Sequence, residues 1–188
     1  MSSTRAAVAV LALLALAPAR ASARDATLYV GDSLGVGTVR QLRSTTTGAT
    51  LEGDTRVGRS STEGLAVLRS RLRRRHRVVV FDLGTNDGSP DLLRQNLHRA
   101  RELTGERPLI VFTLNKPGAR SFNSAIRAFA RSADNVFVID WRSTAASAHL
   151  LAGDGIHASP SGYRRRAALV ASLIRADQQA TWATPSAR

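Results

Sequence analysis

The chain has 188 residues, enough for one domain with a full hydrophobic core. It has no cysteine, which excludes zinc–thiolate sites and cysteine nucleophiles. Its formal net charge of +13 rests almost wholly on arginine, Lys116 being the only lysine. Such a field attracts polyanions, for example a polyanionic cell-wall polymer, although drift toward arginine and solubility produce the same composition. The arginines fall in separate groups at 69–77, 99–107 and 164–166, with few aromatics and no nucleic-acid motif, so nucleic acid is not an expected partner.

The N-terminus reads as a leader. Arg5 precedes an apolar run over 6–17, followed by Pro18 and the small residues Ala21-Ser22-Ala23. That order is a secretory signal peptide with cleavage after Ala23. The run is about a dozen residues, short of the roughly 20 that span a bilayer. The expected organisation is therefore a signal peptide at 1–23, a domain at 24–180 and a frayed tail at 181–188. The expected product is secreted or periplasmic, with no transmembrane segment and monomeric by default.

Within the domain, apolar runs alternate with helix-like segments. Residues 27–30 form the first strand and 34–42 a short helix, then 44–48 is a polar loop. Residues 50–57 are a weaker strand, interrupted by Gly53 and Asp54. Ser60 and Ser61 cap a helix expected to reach Arg75, with Glu63 at its positive end and Leu65, Leu68 and Leu72 on one face. Residues 78–81 are a continuous β-branched and aromatic run, as in a parallel strand buried on both faces. Ser89-Pro90 opens a helix to about 103. Strand 109–114, helix 121–131 and strand 136–139 follow, and Ser159-Pro160 starts a last helix to about 176. Five alternations imply a parallel sheet with helices on both faces and right-handed crossovers. The polar, glycine-rich loops after the strands then share one sheet edge.

Ser33 lies in such a loop, in Gly31-Asp32-Ser33-Leu34, at a strand-to-helix turn that can present a nucleophilic hydroxyl. A serine nucleophile needs a base, an orienting carboxylate and oxyanion donors. Of the four histidines, His76 sits in an arginine run, His98 on the wet face of a charged helix, and His149 at a helix end. His157 stands in a glycine-flanked loop three residues after Asp154, a spacing that lets the carboxylate reach Nδ1 and leaves Nε2 free. A surface loop with an Asx-turn has the same spacing. Gly84-Thr85-Asn86-Asp87 follows the best strand, where the Asn86 amide can donate to an oxyanion without titrating. An ordinary Asn-Asp-Gly turn reads the same way. Gly58 ends the second strand candidate, where a backbone N–H can approach the same oxygen. Asp82 is expected to stabilise its loop, and Asp32 to accept from neighbouring N–H groups. No cofactor or metal is expected: Gly31-x-x-x-Gly35-x-Gly37 is not a dinucleotide loop, and no two-histidine metal motif occurs.

Together, Gly31-Asp32-Ser33-Leu34, Gly58, Gly84-Thr85-Asn86-Asp87 and Asp154-Gly155-Ile156-His157 resemble, in order, the four blocks of the SGNH (GDSL-type) hydrolase superfamily. Position 35 departs from many lipolytic members in being Gly rather than Ser, and the second block also reads at Gly53 or Gly64. The resemblance implies a flavodoxin-like three-layer α/β/α sandwich with a five-stranded parallel sheet. It implies Ser33 as nucleophile, His157 as base, Asp154 as its orienter, and an oxyanion hole from Ser33 N–H, Gly58 N–H and the Asn86 side chain. Gly31-x-Ser33-x-Gly35 also matches the letters of the α/β-hydrolase elbow, but that motif belongs mid-chain with its histidine far beyond the acid. Val57-Gly58-Arg59, Asn123 and Ile139-Asp140-Trp141 are similar to the extracytoplasmic SGNH domains of cell-wall and polysaccharide O-acetyltransferases. The implied activity is hydrolysis of short acyl or acetyl esters, on a small molecule or an acetylated glycan, with acetyl transfer to a glycan as the alternative. From another class stands a non-catalytic basic module that binds glycan or wall.

Overall fold

Side chains on successive strand residues point to opposite faces, and here both faces are apolar. Leu28, Val30, Val79, Phe81, Leu109 and Val111 fill one core, and Tyr29, Val78, Val80, Ile110 and Phe112 fill the other. A sheet buried on both sides must be covered twice, which yields three layers. The computed structural model describes residues 26–45 and 50–183. The expected signal peptide and the end of the expected tail lie outside them.

The elements are β1 (Ala26–Gly31), α1 (Ser33–Thr45), β2 (Thr50–Thr55), α2 (Ser61–Arg71), β3 (His76–Asp82), α3 (Pro90–Thr104), β4 (Leu109–Phe112), α4 (Ala119–Arg131), β5 (Val136–Ile139), α5 (Trp141–Ser147) and α6 (Pro160–Ala183). The sheet is parallel throughout, in the order β2-β1-β3-β4-β5. Helices α2, α3 and α4 cover the first core and α1, α5 and α6 the second. This is the expected flavodoxin-like α/β/α sandwich, with its order reversing between β1 and β3. The crevice at that reversal, outside the carboxyl ends of the strands, is where such folds hold their ligands. Among the described residues no helix is long and apolar enough to cross a membrane.

The strands expected at 50–57 and 109–114 stop at Thr55 and Phe112, the helix expected at 34–42 runs on to Thr45, and three further helices differ from the sequence reading. Helix α2 keeps its start, a capping box in which Ser60 and Glu63 satisfy each other's backbone N–H. It ends at Arg71 rather than Arg75, because Leu72 turns extended and the buried His76 imidazole accepts the Arg73 N–H at 2.9 Å. Helix α5 has no counterpart in the sequence reading; Asp140 caps it through the Ser143 N–H, and Trp141 is fully buried. Helix α6 continues past 176 to Ala183. The arginine group at 164–166 is also not a uniformly solvated face. Arg166 is fully buried, with its guanidinium on both oxygens of Asp82 at 2.7 Å and stacked over Phe112 and Trp141. Asp82, expected to stabilise its own loop, instead ties α6 and the Tyr29 hydroxyl of β1 to β3.

Candidate active site

The β1 and β3 ends set the frame of the site. Asp32 N–H donates to the Asp82 carbonyl, and Arg56 N–H donates to the Gly31 carbonyl. Packing is close here: a Cβ at Gly35 would lie 3.1 Å from the Thr55 side chain and 3.2 Å from the Tyr29 ring, so either would have to give way. Ser33 begins α1, so its own N–H has no carbonyl four residues back within the helix to receive it. The positive end of the helix lies at that N–H.

His157 reaches Ser33 from the other end of the chain. Its Nε2 is 3.0 Å from Ser33 Oγ, and its Nδ1 is 2.5 Å from Asp154 Oδ2. The loop at 150–159 holds this geometry. It closes as a short hairpin through Ala152 N–H to the His157 carbonyl and Ser159 N–H to the Leu150 carbonyl, both at 2.8 Å. Gly155 takes the left-handed turn position, at φ 67°. Asn115, after β4, donates to the Gly155 carbonyl and anchors the loop tip.

Asp154 performs both roles that its spacing allowed. Its Oδ1 accepts the N–H groups of Ile156 and His157, each at 2.9 Å, which is the Asx-turn. Its Oδ2 meets the imidazole. The hydrogen bond from His157, followed by those two backbone donors, holds the Asp154 carboxyl at about 2, below its ordinary 3.8. The carboxylate is therefore ionised at neutral pH. The His157 and Asp154 side chains are 42% and 48% exposed, so the pair sits on an open surface.

The expected oxyanion donors come from two other strand ends. Gly58 stands at φ 75° in the exposed turn closed by Arg59 N–H to the Arg56 carbonyl, a type II geometry that favours glycine. Arg59, next in sequence, is buried and fastens this turn to the site: its guanidinium donates to the Gly31 carbonyl at 3.2 Å and to Asp54 Oδ1 at 2.7 Å. Asn86 Nδ2 donates to the Arg59 carbonyl at 3.1 Å and leans on Asp32 Oδ2 at 3.4 Å. The longer contact is the one that a negative oxygen can replace. The turns after three strands are thus joined beside Ser33, Arg59 binding the Gly31 carbonyl and Asn86 bridging Asp32 and the Arg59 carbonyl.

Asp32 is fully buried beneath them. Its Oδ1 accepts the Leu34 N–H at 2.9 Å, as the sequence reading expected. Burial, and then the charge of Asp82, push its carboxyl up to about 7. Supporting residues that the sequence reading passed over are Arg59, Lys116 and Asp87. Lys116 donates to the Asp87 carbonyl at 2.8 Å, and Asp87 Oδ1 accepts the Ser61 N–H at the start of α2. A polar residue just past a strand was the available signal for each; its partner was not readable. Among the described residues no three of His, Asp and Glu gather as a metal site would require.

No protein-family model matches the chain, and no curated protein matches it in sequence. Solved structures do match it. The C-terminal catalytic domain of Streptococcus pneumoniae peptidoglycan O-acetyltransferase A, with a methylsulfonyl adduct, superposes with a TM-score of 0.69 at 18% identity, over 83% of this chain and 96% of that one. A lipase/acylhydrolase from Enterococcus faecalis gives 0.70 at 19% identity, over 81% and 96%. A GDSL-like lipase from Bacteroides thetaiotaomicron gives 0.66 at 18% identity, over 83% and 89%. At these identities the likeness is one of fold: the chain shares the three-layer architecture of these proteins.

Proposed function

We propose that this chain is a serine esterase of the SGNH type that removes short acyl groups through an acyl-enzyme on Ser33. The observation that carries this reading is the unbroken contact from Ser33 Oγ to His157 Nε2 and from Nδ1 to Asp154, assembled from opposite ends of the chain. A binding module has no need of that alignment. His157 takes the Ser33 proton as Oγ attacks the acyl carbonyl, and Asp154 steadies the imidazolium. The negative oxygen gathers donors from Ser33 N–H, Gly58 N–H and Asn86 Nδ2. His157 then protonates the leaving alcohol, and the same nitrogen next activates water to release the acid.

The exposed His157 favours a second outcome beside hydrolysis. An open site admits a sugar hydroxyl as readily as water, and one structural neighbour is named as a peptidoglycan O-acetyltransferase. Action outside the cytoplasm, as the leader pattern indicates, fits a glycan ester. The test is release of nitrophenol from p-nitrophenyl acetate by wild type and by Ser33→Ala. We expect the variant to fall to background; equal rates would sink the esterase. Transfer is read separately, by the partition of acetyl between water and an added oligosaccharide.

A further inference from the structure

A trench of about 560 Å³ runs between α1 and the edge strand β2, lined among others by Val36, Arg40, Arg43, Asp54, Thr55 and Arg71. One end of it lies next to the segment that carries the reacting serine. Val36 stands one helical turn after Ser33, and Thr55 is the β2 partner of Gly31. Ser33, Val36, Arg40 and Arg43 share one stripe of α1, since steps of three and four residues return to the same face. At a rise of about 1.5 Å per residue, Arg40 lies about 10 Å and Arg43 about 15 Å along the helix from Ser33.

The charges in the trench are unequal. Asp54 is already held by Arg59 at 2.7 Å and Arg71 at 3.2 Å. Arg40 and Arg43 are exposed and have no ionic partner among the described residues. Their charge is therefore unspent, and it lies too far from Ser33 for a small ester to touch both. A chain molecule can touch both. The exposed Val36 offers an aliphatic surface to the C–H face of a sugar ring, and no aromatic side chain lines the trench to stack a base.

We propose that this trench is a substrate subsite for a carboxylate-bearing polysaccharide, which lies along α1 with its acyl ester at Ser33 and its anionic groups on Arg40 and Arg43. The proposal rests on the esterase reading for its orientation, but the binding is measurable without turnover.

The experiment compares Arg40→Glu/Arg43→Glu with Arg99→Glu/Arg131→Glu. The second pair changes net charge equally at exposed positions on α3 and α4, across the sheet. Substrates are O-acetylated polygalacturonate, O-acetylated glucomannan and p-nitrophenyl acetate. The trench variant should lose about tenfold or more in kcat/KM on the polygalacturonate alone, through KM, and added salt should erase the difference. The control variant should lose little. Equal losses for the two variants, or a loss shared by the neutral glucomannan, would overturn the proposal. If wild type cleaves no ester, the esterase reading fails by itself. Affinity of the Ser33→Ala protein for polygalacturonate, with and without the trench substitutions, still decides the subsite. A trench-dependent affinity that is as strong for single-stranded DNA or anionic lipid vesicles rejects a glycan site.

Discussion

At the scale of single residues, Asn86 is the most exacting member of the site. It is exposed, its amide is tethered by the Arg59 carbonyl, and its second contact, to Asp32, is long. An exposed side chain can be removed without disturbing a core, so Asn86→Ala isolates chemistry from stability. We expect kcat on p-nitrophenyl acetate to fall about 10²–10³, roughly 3–4 kcal/mol, with KM and the thermal midpoint nearly unchanged. An unchanged kcat would remove Asn86 from the oxyanion hole. The residues of this site were readable to different degrees. Asp154 and His157 are three apart, so their partnership is local and the spacing alone proposed it. Asn86, Gly58 and Ser33 were each readable only as turn residues after strands, and their meeting depends on the strand order. Arg59 was opaque. Nothing in Val57-Gly58-Arg59 distinguishes an arginine folded back on the Gly31 carbonyl from the many that face water.

At the scale of elements, the site depends on how the loop at 150–159 is seated on the start of α6. Gly162 is the contact point: a Cβ there would lie 2.2 Å from the Leu150 carbonyl oxygen and 3.0 Å from the Ala158 side chain. That carbonyl accepts the Ser159 N–H that closes the hairpin. Backbone cannot swing aside as a side chain can, so Gly162→Ala must shift either the helix or the loop. We expect a cost of about 1–3 kcal/mol in urea unfolding, together with a lower kcat because His157 moves with the loop. Wild-type kcat in a stable Gly162→Ala protein would show that the seating does not matter. The elements themselves were largely legible, for a physical reason. Buried parallel strands read as unbroken apolar runs, as β1, β3 and β4 do. The ends of helices were less so. The C-terminus of α2 is set by the His76 imidazole accepting a backbone N–H, and α5 is too short to carry a periodic pattern.

At the scale of the whole molecule, the buried polar groups beneath the site link its two halves and make stability depend on pH. Arg166 of α6 meets Asp82 of β3, the Tyr29 hydroxyl of β1 donates to the same carboxylate at 2.7 Å, and Thr38 of α1 accepts from Arg166 at 3.0 Å. Breaking a buried pair of this kind leaves a charge without a partner, which costs about 3–5 kcal/mol. One cation stands among two buried carboxylates, Asp82 and Asp32, and Asp32 is the one pushed up to about 7. Its carboxyl in the unfolded chain titrates near its ordinary 3.8. Between those values the folded protein holds a proton that the unfolded chain has released. Folding is therefore favoured at the low end of the window and loses that contribution as pH rises through about 7. The buried His76 works in the opposite sense, since burial lowers its pKa and its neutral form favours folding toward higher pH. The two are separated by substitution. Asp32→Asn keeps an oxygen for the Leu34 N–H and cannot ionise, and it loses the acceptor that faces Asn86 at every pH, so the variant should be more stable relative to wild type at pH 8 than at pH 5. Urea unfolding of both proteins at the two pH values measures the difference directly. A gap between variant and wild type that does not change with pH would mean that Asp32 is ionised throughout and that Arg166 offsets both carboxylates.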